Sequence, residues 1–86
     1  MVEDKYKYKC DSHTLMASLR YAIGKPTLAL AIFRDNLREN LHALPTNDLK
    51  EMEEELTEYY RNHTDDMNYC VANEIVVMIK RELWDE

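Results

Sequence analysis

Eighty-six residues, 45% hydrophobic and 33% charged, make one small domain with enough apolar side chains for a core, and exclude a wholly disordered chain. One glycine and two prolines supply too few turns for a β-sandwich or barrel. The net charge of −6 opposes broad non-specific nucleic-acid binding, because an acidic surface repels phosphate.

Residues 1–11 form the first segment. Lys5-Tyr6-Lys7-Tyr8-Lys9-Cys10 alternates strictly, with Tyr6, Tyr8 and Cys10 on one face and lysines on the other, the period of a strand. No other segment alternates this clearly, so an internal pairing partner is missing. The expectation is an extended N-terminal arm or frayed tail. The sharper alternative is a strand that pairs with a second copy or with another protein's sheet edge.

A first helix is predicted from Asp11 or Ser12, both good caps, with Leu15, Met16, Leu19, Ala22 and Ile23 at helical spacing. Gly24, the only glycine, stands where that helix must stop, and Pro26 can only open the next one. A second helix follows from about Pro26 to Ala43. Leu30, Phe33, Leu37, Leu41 and Leu44 form its stripe, Leu28 and Ile32 widen it, and Arg34, Asp35, Arg38, Glu39 and Asn40 flank it. Pro45 ends the pattern, and Thr46 or Asn47 is the expected cap of a third helix over about Asp48–Arg61. Its apolar stripe is Leu49, Met52, Leu56 and Tyr59 or Tyr60. Its other faces carry Glu51, Glu53, Glu54, Glu55 and Glu58. A fourth helix is expected from about Asp66, with Asp65 or Asp66 as cap, to Leu83. Met67, Cys70, Val71, Ile75, Val76, Met78 and Ile79 give it a very broad apolar surface. Trp84 either covers the end of the bundle or serves as an interface anchor. The whole reads as all-α: a bundle of about four helices over 12–86 behind the 1–11 arm, in one domain.

Charge is unevenly placed. Residues 1–43 hold seven bases and five acids, residues 44–86 four bases and twelve acids, so the halves carry +2 and −8. The longest apolar run, residues 28–33, is far short of the ~20 residues a membrane span needs. The charged start lacks the apolar stretch of a signal peptide. Two cysteines, Cys10 and Cys70, are too few to staple a small secreted domain. They read as free thiols in a reducing cytoplasm, Cys70 as a buried small hydrophobe.

Leu19-Arg20-Tyr21-Ala22-Ile23-Gly24-Lys25-Pro26-Thr27 resembles an "RYALGR-x-T" signature of small bacteriophage and prophage proteins. In those proteins an apolar helix, a Leu-Pro turn and an acidic helix follow, as Leu44-Pro45 and Asp48 to Glu58 do here. The similarity covers about half the chain and brings no catalytic residues. It implies a phage or mobile-element origin, a bacterial host cytoplasm as workplace, and a class of short acidic proteins that bind and block host machines, CRISPR effectors among them.

The acidic helix is the most distinctive surface. Glu51/Glu55 and Glu54/Glu58 are like-charge i,i+4 pairs, each costing an isolated helix ~0.2–0.5 kcal/mol, with Lys50–Glu54 an offset. Two rows of carboxylates can imitate a phosphate backbone and fill a Lys/Arg groove. The bland reading is a solvated face. Glu51, Glu54, Glu55 and Glu58, aided by Tyr6 and Tyr8, are the candidate contact residues for a host protein or nucleoprotein complex with a basic surface.

Other chemistries lack support. Among Cys10, His13, His42, His63 and Cys70, only Cys10-x-x-His13 has ligand-like spacing, and one pair does not make a zinc site. The carboxylates have no evident pocket to shift a pKa, and no phosphate loop exists. No cofactor and no catalytic set is implied, so a non-enzyme is expected. The runner-up is a helix-turn-helix-like DNA-binding regulator pivoting on Gly24, with Lys25, Thr27, Arg34 or Arg38 near DNA. Against it stand Arg20, where a small residue is usual, and Lys25, where an apolar one is usual. The apolar breadth of the fourth helix, with Trp84, makes a homodimer a reasonable third expectation.

Overall fold

The computed structural model describes residues 11–84. They form four helices: α1 (Ser12–Ala22), α2 (Ala29–Asn40), α3 (Thr46–Arg61) and α4 (Tyr69–Trp84), with a 3₁₀ turn (Leu41–Ala43) closing α2. The proposed arm, with Tyr6, Tyr8 and Cys10, lies outside the described residues except for Asp11.

Asp11 caps α1 as its residue type requires. Its Oδ1 accepts the Thr14 backbone N–H at 2.8 Å, satisfying a donor that has no partner inside the helix. Hydrogen bonding from the Thr14 backbone, followed by its side chain, holds the Asp11 carboxyl below its ordinary value. At the other end, Gly24 has φ +82°, a left-handed conformation that costs a side chain ~1–2 kcal/mol. A Cβ there would also stand 3.0 Å from the Tyr59 hydroxyl.

The remaining helix starts differ from expectation, each for a local reason. α2 begins at Ala29 rather than Pro26, because Thr27 Oγ1 takes the Ala29 N–H at 3.2 Å. α3 begins at Thr46, with the Pro45 carbonyl accepting from the Asp48 and Leu49 N–H groups at 3.1 Å each; neither Thr46 nor Asn47 caps it. α4 begins at Tyr69 rather than Asp66. Asp66 Oδ1 binds the Asn68 N–H at 2.7 Å, which folds residues 66–68 into a turn.

Helix directions follow from the contacts. Arg20 meets Glu51 and Glu55, and Gly24 meets Tyr60, so α1 and α3 run the same way. Arg34 meets Glu74 and His42 meets Glu82, so α2 and α4 run together. Around the core α1 packs against α2 and α3, and α4 against α2 and α3. Leu15, Leu19, Leu30, Leu37, Leu49, Met52, Leu56, Ile75 and Ile79 are its fully buried large side chains. Each such side chain contributes roughly 1.5–3 kcal/mol relative to exposure.

Several side chains lie elsewhere than the spacing suggests. Leu28 and Ile32 do not widen the core stripe but face outward. Asn40, expected on a flank, is buried and donates from Nδ2 to the Asn36 carbonyl at 2.8 Å. Cys70 is exposed rather than buried, as is Met67. The core face of α4 is Ala72, Ile75 and Ile79, which turns Cys70 and Val77 outward. Trp84 does not cover the bundle end.

Asn68 is the principal buried polar residue, 4% exposed. Its Nδ2 donates to the carbonyls of Lys25 at 2.8 Å and Thr27 at 3.3 Å. These carbonyls belong to the exposed α1–α2 corner, where neither helix supplies them a partner. Asn68→Ala removes both bonds, and we expect a loss of about 1–3 kcal/mol, read from urea unfolding followed by far-UV circular dichroism. Tyr60, buried beside this corner, accepts the Gly24 N–H at 3.4 Å. Burial pushes its phenol above the ordinary 10.0. The neutral phenol's contribution is therefore complete below pH 10.0 and is lost as pH rises through the higher folded value. Thermal melts across that alkaline range should fall less steeply for Tyr60→Phe than for the parent.

Candidate protein-binding surface

α3 is amphipathic by spacing. Leu49, Met52, Leu56 and Tyr60 are buried along one line, recurring at +3 and +4 as one helix face requires. The six acids and two bases of Thr46–Arg61, net −4, must then occupy the flanks and the outer face. Asp48 lies in the first turn and Arg61 in the last, each favourable to the helix dipole.

The structure divides the four candidate glutamates into two kinds. Glu51 and Glu55 lie on the flank towards α1, where one guanidinium holds both. Arg20 Nη2 is 3.1 Å from Glu51 Oε2 and 2.9 Å from Glu55 Oε2, and Arg20 Nε donates to Glu55 Oε2 at 3.0 Å. The hydrogen bond and charge of Glu55, followed by those of Glu51, hold Arg20 above its ordinary value against the opposing desolvation. The like-charge cost of this i,i+4 pair is thus relieved inside the chain. Glu54 and Glu58 lie on the outer face and are exposed. Glu58 Oε1 approaches Arg61 at 3.9 Å. Glu53, not among the candidates, turns to the opposite flank and lies 3.9 Å from Lys80 of α4.

Arg20 is the neighbour of the candidate glutamates that the sequence does not disclose. It is 31 and 35 positions from its partners, and only the α1–α3 register brings them together. Helical spacing does place Arg20 beside the buried Leu19, on a flank rather than the outermost face, and this is the one sequence signal available.

The residues of the regulator reading have in-chain partners. Arg34 Nη1 binds Glu74 Oε1 at 3.0 Å, and Arg34 Nε binds Asp35 Oδ1 at 3.2 Å. Asp35, followed by Glu74, holds Arg34 above its ordinary value. Arg38 Nη2 lies 3.4 Å from Glu74 Oε2. Lys25 Nζ stands 4.7 Å over the Tyr21 ring. His42 Nδ1 lies 3.1 Å from Glu82, and His63 stacks on Tyr59 with ring centroids 3.9 Å apart. Among the described residues no group of three or more His, Cys, Asp or Glu could hold a metal ion, and no helix is long and apolar enough to cross a membrane.

No protein-family model, curated protein or solved structure matches the chain.

The Arg20 fork is exposed to solvent and hence to salt screening. Arg20→Ala leaves Glu51 and Glu55 facing each other one turn apart. We expect its melting temperature to fall below the parent's at about 20 mM salt, and the gap to narrow at about 500 mM, where the Debye length drops below ~5 Å.

Proposed function

We propose that this chain is a non-enzymatic protein-binding protein of phage type. It inhibits a host defence complex (a CRISPR effector or similar machine) or a regulatory complex by occupying a basic surface that otherwise receives nucleic acid. The observation that carries this reading is the exposed pair Glu54 and Glu58 on the outer face of α3. They stand one turn apart, about 6 Å along the axis, on a helix whose remaining acids flank them. Such a row offers a Lys/Arg groove negative charge in regular steps, as a phosphate strand does.

Two further features support it. Glu51 and Glu55 are pinned by Arg20, so they add to the negative field from fixed positions and lose little side-chain freedom on binding. The resemblance of Leu19–Thr27 to the phage signature favours the same class of activity. The Tyr6/Tyr8 segment is an auxiliary contact in this reading.

Glu54→Lys together with Glu58→Lys tests it, because neither residue holds α1 in place. Tagged protein should retain a basic partner from bacterial lysate, releasing it at high salt and to competing duplex DNA. The double variant should lose at least about tenfold in affinity for that partner with an unchanged circular dichroism spectrum. Undiminished binding removes α3 as the contact surface. A sequence-selective gel shift of DNA by the chain itself, lost on Lys25→Ala and Arg34→Ala, points instead to the regulator.

A further inference from the structure

The outward face of α4 carries Cys70, Glu74, Val77, Arg81 and Trp84, all exposed. Their steps of four, three, four and three residues are the alternation that keeps one seam of a helix turned towards a partner helix. The seam lies opposite Ala72, Ile75 and Ile79, which bury α4 in its own bundle. Its two large apolar members are well exposed, Val77 at 50% and Trp84 at 76%. They flank Lys80 and Arg81 around an open depression of about 390 Å³.

We propose that a second copy of this chain docks on this seam, antiparallel, with a two-fold axis passing beside Val77. Charge decides the direction. Glu74 precedes Val77 by three residues and Arg81 follows it by four. An antiparallel pair sets each Glu74 beside the partner's Arg81, whereas a parallel pair sets Glu74 against Glu74 and Arg81 against Arg81. Glu74 already binds Arg34 and Arg38, which share Asp35. Those four residues sum to zero charge, so the partner's Arg81 meets a neutral cluster at Glu74, whose side chain is half exposed.

Size agrees with the same arrangement. Cys70 and Trp84 each lie seven residues from Val77, about 10.5 Å along the axis. The two-fold therefore lays each indole over the partner's Cys70, a small side chain that leaves room for it. Because the contact is isologous, the Glu74–Arg81 and Trp84–Cys70 contacts each occur twice for one Val77–Val77 contact. The seam uses none of the α3 carboxylates, so the outcome here is independent of the α3 reading.

Sedimentation equilibrium of the full chain should give twice 10.3 kDa. Val77→Glu places two carboxylates across the axis and should raise the dimer dissociation constant at least about tenfold. Its helical circular dichroism should not change, because Val77 is outside the core. Orientation is read by cross-linking in a Cys10→Ser background. Trp84→Cys should yield an oxidised covalent dimer through the partner's Cys70. The Cys10→Ser parent should not cross-link, since its two Cys70 thiols lie about 21 Å apart along the axis. A monomer at about 100 μM, well above the micromolar range of a modest interface, overturns the proposal. So does a dimer unaffected by Val77→Glu, a cross-linked Cys10→Ser parent, or a Trp84→Cys variant that fails to cross-link.

Discussion

The Asn68 side chain joins the two halves of the bundle. Its amide donates to the Lys25 and Thr27 carbonyls, binding the α3–α4 connection to the α1–α2 corner. The Lys25 and Thr27 carbonyls lie where the chain turns, outside either helix, and the buried Asn68 amide gives them a partner within the chain. Gly24 allows the corner its left-handed step, with the Tyr59 hydroxyl close to where its Cβ would stand, and Tyr60 accepts the Gly24 N–H. The direction of α2 relative to α4, and hence of every cross-helix pair between them, follows from this junction.

Charge is distributed over the bundle by the same register. Three of the four packed helix pairs are crossed by an ion pair: Arg20 from α1 to α3, Arg34 and Arg38 from α2 to α4, Lys80 from α4 to α3. Exposed pairs of this kind add little to stability individually. Their consequence is to remove cations and some carboxylates from the free surface. The negative charge left on the outer line of α3 is therefore narrower than the glutamate-rich sequence implies, and it consists of Glu54 and Glu58 backed by a pinned row.

The apolar residues divide in a comparable way. α4 has apolar side chains on nearly all sides: Ala72, Ile75 and Ile79 are buried in the bundle, and Tyr69, Val71, Val76, Met78 and Leu83 pack partly against its core. Val77 and Trp84 remain on the far side. A helix that is apolar beyond the width of its own core has surface to give to another molecule.

Much of the architecture was legible in local patterns. Period-3.6 spacing located four helices and most of the core, from Leu15 and Leu19 through Leu56 to Ile75 and Ile79. Asp11 and Gly24 marked the ends of α1, because capping and left-handed backbone depend on residue type alone. The α3 glutamates could be placed off the core by spacing. What the linear pattern could not contain was any pairing across helices. Arg20 as the counter-ion of Glu51 and Glu55, Asn68 as the tie between two turns, and the outward placement of Leu28, Ile32 and Cys70 all depend on helix rotation and register. Those are set by how whole side-chain surfaces interlock. Local chemistry thus determined which segments coil and which of their faces are greasy, and tertiary packing alone decided which charges cancel, because cancellation requires residues some 27 to 40 positions apart to arrive at the same place.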